Sequence, residues 1–220
     1  ISLTTRKNVV TSSQPITGGS PRSRDRRSEG HEHGTTIPTR AYHPGMSEPQ
    51  SGVRHDDPAA LLLEELVACF RRQKVMAERA LAQLEPSDWR KSLDDESNSI
   101  AVIVQHLAGN LRSRWRDFLT TDGEKADRDR DGEFEDAGLG VAELMEAWER
   151  GWAVAFDSLD ALSASDLVAT VTIRGEPHTV ARAIARSLDH AAGHVGQIIM
   201  LAKHWRGGEW QTLTIPRRRR

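Results

Sequence analysis

The sequence predicts an all-α protein, a four-helix bundle with a short β-strand or hairpin before the last helix and a disordered N-terminal tail. Three observations carry this. From residue 58 onward, four stretches repeat apolar residues every three to four positions, as helices buried along one face require. One segment, VATVTIR, instead alternates and is rich in β-branched residues. No βαβ alternation calls for a parallel sheet.

Residues 1–57 are rich in Ser, Thr, Arg, Gly, Pro and His and poor in large apolar side chains, so they bury too little to offset chain entropy. The chain opens on Ile1, and Met46 precedes the short leader SEPQSGVRHDDP. Residues 1–45 are therefore expected to be largely an upstream extension or misassigned start. His31 and His33 lie in this tail and carry no site. The folded part, 58–216, opens at Asp56-Asp57-Pro58, a helix-starting combination.

The first helix is expected over Ala59–Leu84, with Leu62, Leu66, Cys69, Phe70, Val75, Met76 and Leu81 inward and Glu85-Pro86 as its break. The second runs from Ser97 to Leu119, capped by Ser97 or Asn98, with Ile100, Ile103, Val104, Leu107, Leu111 and Phe118 buried. A charged irregular loop, Asp122 to Asp136, follows as a candidate lid or rim. The third helix spans Gly140–Leu162 around Leu144, Met145, Trp148, Trp152, Phe156 and Leu159. A strand or hairpin over Leu167–Arg174 turns at Gly175-Glu176-Pro177. The last helix, Thr179–His204, ends at Gly207-Gly208, and Trp210, Leu213 and Ile215 pack back. Arg217 to Arg220 read as a solvated basic tail.

A formal net charge of −2 gives no field that would gather nucleic acid or membrane phosphates. No basic groove with interleaved aromatics is present. The single cysteine, Cys69, sits among apolar neighbours and reads as a buried, inert thiol. It cannot form an intrachain disulfide, which suits a reducing cytoplasm. No stretch has the apolar length of a membrane span, and the N-terminus has no signal-like apolar region.

The chemistry lies in three histidines. His190 and His194, in DHAAGHVGQ, stand four apart, which puts both imidazoles on one helix face. His106, in VIVQHLAGN, lies inside the apolar stripe of the second helix, where an unpaired imidazole is costly. Together they are candidate ligands for one metal ion. Spacing alone leaves open the plainer alternative of exposed or locally bonded histidines. Asn110, Arg114 and Gln197 are candidates to line a pocket beside them, and Trp115, Trp148 and Trp152 read as core.

The segments IVQHLAGNLRSRWRDFLTTDGEK, RDRDGEFE, VTIRGEPHTVARAIARSLDHAAGHVGQIIMLAKH and EWQTLTIP resemble the DinB-like (DinB/YfiT-type) metal-binding family, in a bacterial branch. The resemblance covers residues 58–216. It implies up-down-down-up connectivity, a homodimer, and metal bound by His106, His190 and His194.

Three neutral imidazoles would leave a divalent ion its full charge and an open position. Zinc fits the set best, and nickel, iron and manganese also accept imidazole. The HExxH of zinc proteases and a Gly-rich phosphate loop are both absent. The resemblance implies a transferase-like enzyme activating a low-molecular-weight thiol; in the charged loop, Arg128 or Arg130 is a candidate to hold an anionic cosubstrate, the plainer alternative being solvated arginines. The alternatives are a hydrolase using bound hydroxide and a noncatalytic stress-response module whose ion is closed off by Asn110, Gln197 or Glu133.

Overall fold

The structure, a computed structural model, describes residues 57–215. The expected tail up to residue 56, with His31 and His33, and the arginines 217–220 lie outside the described residues.

Helix α1 spans Pro58–Leu81. Pro58 supplies a preset φ, and the Asp57 carboxylate accepts the Ala59 N–H at 2.9 Å. Its inner face is Leu63, Phe70, Ala77, Ala80 and Leu81. This corrects the expected stripe: Leu62 and Val75 are 51% and 50% exposed, and Cys69 is exposed. Leu66, Phe70, Met76 and Leu81 of that stripe are buried or packed against the core, and the small Ala77 and Ala80, which carry little hydrophobic signal, complete the face. The helix ends three residues before Leu84, and a 3₁₀ turn, Pro86–Asp88, follows.

Helix α2 spans Ile100–Trp115. Its cap is Ser99, whose hydroxyl accepts the Val102 N–H at 3.3 Å, rather than Ser97 or Asn98. The Ser97 hydroxyl instead donates to Asp94 at 2.6 Å. The helix stops before the expected Leu119, and Asp117 turns the chain at φ 48°. All six residues of its expected stripe are buried, Phe118 reaching inward from beyond the helix end.

Helix α3 spans Val141–Asp160, and the Glu143 carboxylate accepts the Gly140 N–H at 2.7 Å. Leu144, Trp148, Trp152 and Leu159 are buried, with Met145 and Phe156 packed beside them. Ala164–Val168 is a 3₁₀ turn, so the strand starts later than Leu167. Strands β1 (Thr170–Ile173) and β2 (Glu176–Thr179) pair antiparallel, Val171 opposite His178. The turn residues Arg174 and Gly175 donate their backbone N–H groups to the Asp122 carboxylate, both at 2.8 Å. This ties the hairpin to the charged loop.

Helix α4, Val180–Arg206, is capped by Thr179, whose hydroxyl accepts the Arg182 N–H at 3.2 Å. Beyond it, the Gln83 side chain bonds both backbone groups of Gln211, at 2.8 and 3.1 Å, and Leu213 is buried. Ile215, expected to pack back, is 90% exposed.

The helices pack mainly as two pairs, α2 with α3 and α1 with α4. Phe70 of α1 stands edge-on to Trp115 of α2 at 5.8 Å and to Trp152 of α3 at 6.3 Å. The Trp115 indole N–H donates to the Ser187 hydroxyl of α4 at 3.2 Å. These contacts join all four helices at one level. Among the described residues, no helix is long and apolar enough to cross a membrane.

The α2–α3 approach depends on Gly151, where an added Cβ would stand 2.7 Å from the Ala108 carbonyl oxygen. Backbone cannot yield as a side-chain tip can. Gly151→Ala should therefore destabilise the fold by about 1–3 kcal/mol, the range for overpacking. Denaturant unfolding checks this, and an unchanged midpoint would contradict so tight a contact.

Candidate metal centre

His106 projects from α2, and His190 and His194 from successive turns of α4. His106 Nε2 and His194 Nε2 each lie 3.2 Å from His190 Nε2. The three ligand atoms all fall within 4.8 Å of one another, an arrangement that could hold a metal ion. Two nitrogens about 2.0–2.1 Å from one tetrahedral zinc stand about 3.3–3.4 Å apart, close to the two short separations.

The outer ring nitrogens decide the tautomers. His106 Nδ1 is 3.0 Å from Glu133 Oε2, and His194 Nδ1 is 2.8 Å from Gln197 Oε1. A carboxylate and an amide oxygen only accept, so both Nδ1 atoms carry the proton. In neutral rings, both Nε2 atoms then turn lone pairs on His190, which can donate a proton to one of them at most. One contact is left with lone pair facing lone pair unless a cation lies between. Burial, then the fields of His194 and His106, push His190 down to about 4. Burial also lowers His194, against the Gln197 hydrogen bond. A proton is thus a poor cation here, and the donor set fits a divalent metal.

Glu133 is itself held. Burial would raise its carboxyl, but bonds from Arg128 and His106 outweigh that and hold it below its ordinary range. Arg128 reaches both Glu133 oxygens, at 2.8 and 2.6 Å. Gly109 leaves the room, since a Cβ there would meet Glu133 Oε1 at 2.2 Å.

The histidines line a cavity of about 240 Å³. Of the pocket residues expected from the sequence, Asn110, Arg114 and Arg130 line it, and Phe134 stacks obliquely on His106 at 4.3 Å. Gln197 instead lies behind His194 and orients it. Glu133, expected only as a closing ligand, sits behind His106, and Arg128 is committed to Glu133 and Glu124. Sequence reasoning missed Arg174 and Arg186. Arg186 was findable, standing four residues before His190 as His190 stands before His194. Glu133 had no such signal, lying 27 residues from His106 in an irregular loop.

A family model described as "Protein of unknown function (DUF1572)" matches residues 57–219. The chain belongs to the DUF1572 family. No curated protein and no solved structure matches it. The DUF1572 match spans both helices that carry the histidines and the loop that carries Glu133.

Two outcomes follow for this DUF1572 protein. Glu133→Gln should weaken zinc binding about 10–100-fold, the usual cost of losing a ligand's supporting carboxylate, read by chelator competition. Unchanged affinity would remove Glu133 from the site. In metal-stripped protein, His190 at about 4 lies below its ordinary 6.5, so the unfolded chain takes up its proton first. Stability should thus be complete above about pH 6.5 and fall as pH drops toward 4. His190→Gln should flatten that loss in thermal unfolding across the window, and an equally steep loss would refute the assignment.

Proposed function

We propose that this protein is a DinB-like four-helix bundle, up-down-down-up, that holds one divalent metal ion on His106, His190 and His194. The observation that carries the reading is the convergence of the three imidazoles, with two outer nitrogens tied to Glu133 and Gln197. Zinc fits the ligand set best, with nickel, iron and manganese as further candidates.

We read the protein as a metal-dependent enzyme of transferase type, its substrate a small molecule and its cosubstrate a low-molecular-weight thiol. An ion held by three neutral ligands keeps its charge and acidifies a thiol or a water that reaches it. Glu133 and Gln197 orient the imidazoles, Phe134 covers one side of His106, and Asn110 faces the cavity between the histidines and the arginines. The thiol rests on the family resemblance. The hydrolase alternative differs in needing no thiol for turnover. The noncatalytic alternative needs a side chain to close the ion's open position. Two of its three candidates are engaged elsewhere, Glu133 with Arg128 and His106, and Gln197 with His194. A homodimer belongs to the same reading.

Elemental analysis of protein purified without a His tag should find near-equimolar divalent metal, lost in His190→Ala with helical content intact. Full occupancy in that variant would overturn the ligand set. Loaded protein should then turn over electrophiles only when a thiol is supplied.

A further inference from the structure

The cavity wall is charged in one sense: it carries Arg114, Arg128, Arg130, Arg174 and Arg186, and no carboxylate. Three of these have acidic partners. Arg128 bonds Glu133 and Glu124, Arg174 bonds Glu124, and Arg130 bonds Asp131. Arg186 is exposed and donates to His178 Nε2 at 3.2 Å, with no carboxylate partner among the described residues.

Arg114 stands apart. It is 7% exposed, and its Nη1 is buried with no hydrogen-bond partner among the described residues. The carboxylates whose fields reach it are already engaged: Glu124 with Arg128 and Arg174, and Asp122 with the backbone of Glu124, Arg174 and Gly175. A buried guanidinium with no hydrogen bond to a carboxylate is costly, and the two nearby carboxylates are spent on other groups. Arginine's planar fork suits a carboxylate or phosphoryl group.

Arg114 lies eight residues after His106 on α2, and Arg186 four before His190 on α4. His106 meets His190 and Trp115 reaches Ser187, so α2 and α4 run past each other in opposite directions and both arginines lie on the same side of the histidines, lining the same cavity. Along the helix axes Arg186 stands about 6 Å from His190 and Arg114 about 12 Å from His106.

We propose that Arg114, with Arg186, forms an oxyanion subsite at the end of the cavity opposite the three histidines. The ligand is a small molecule with a carboxylate or phosphoryl group at one end and its reacting group toward the histidines. The cavity volume restricts it to the small end of the ligand range. The subsite stands on Arg114's own surroundings, and only the direction of the ligand's other end rests on the metal reading.

The test titrates full-length protein, both metal-stripped and zinc-loaded, with inorganic phosphate and separately with glutarate, followed calorimetrically. Wild type should bind at least one probe in both forms, and the tighter probe assigns phosphoryl or carboxylate. Arg114→Met should weaken that binding at least tenfold, keep its zinc, and raise the melting temperature of the ligand-free protein by removing the unpaired charge. Arg150→Met, at an exposed arginine paired with Glu146, should bind as wild type does. No binding of either probe below about 10 mM would overturn the subsite. So would equal loss in both variants, which marks diffuse surface charge, or a lowered melting temperature in Arg114→Met, which marks a structural arginine. Failure to take up zinc, with phosphate binding intact and sensitive to Arg114, would sink the metal reading alone.

Discussion

Three imidazole nitrogens meet at a point where neutral rings cannot all be satisfied, and much of the surrounding structure serves to hold them there. The Glu133 and Gln197 bonds take the outer nitrogens of His106 and His194, so the inner nitrogens present lone pairs to His190. Burial makes a shared proton costly. A divalent cation would relieve the conflict and gain the full donor strength of rings already oriented. The carboxylate behind His106 also makes that ring a better donor.

Support for this point comes from distant parts of the chain. Glu133 is fixed by Arg128 and admitted by Gly109, so the charged loop and α2 are fitted to each other. Asp122, at the other end of that loop, bonds the hairpin turn. The hairpin leads directly into α4 and so into two of the three histidines. A loop that looked irregular in sequence thus braces one histidine directly and the element that positions the others.

Helix existence and the pairing of His190 with His194 were legible because both rest on short-range periodicity, whereas the approach of His106 from a second helix is a long-range meeting. Four amphipathic stretches and one β-branched stretch became the observed elements, and His190 with His194 follows from a single helical turn. The inner face of α1 was legible only in part: Leu66, Phe70, Met76 and Leu81 pack inward as expected, but Ala77 and Ala80 pack through small size rather than hydrophobic bulk. Cys69 accordingly faces out despite its apolar neighbours. The capping of α2 by Ser99 over Ser97 turned on a local bond to Asp94. Glu133 depended on a long-range meeting of loop and helix that no spacing encodes, and family resemblance, which pointed to the three histidines, was silent on what holds them.

The arginines and the three histidines line one and the same cavity. X-ray absorption at the zinc edge of the loaded protein tests the central claim most directly. The account predicts imidazole scattering from three rings at about 2.0 Å, with any further light atom from solvent and no sulfur. A sulfur shell, which would implicate the exposed Cys69, or fewer than three imidazoles would contradict it.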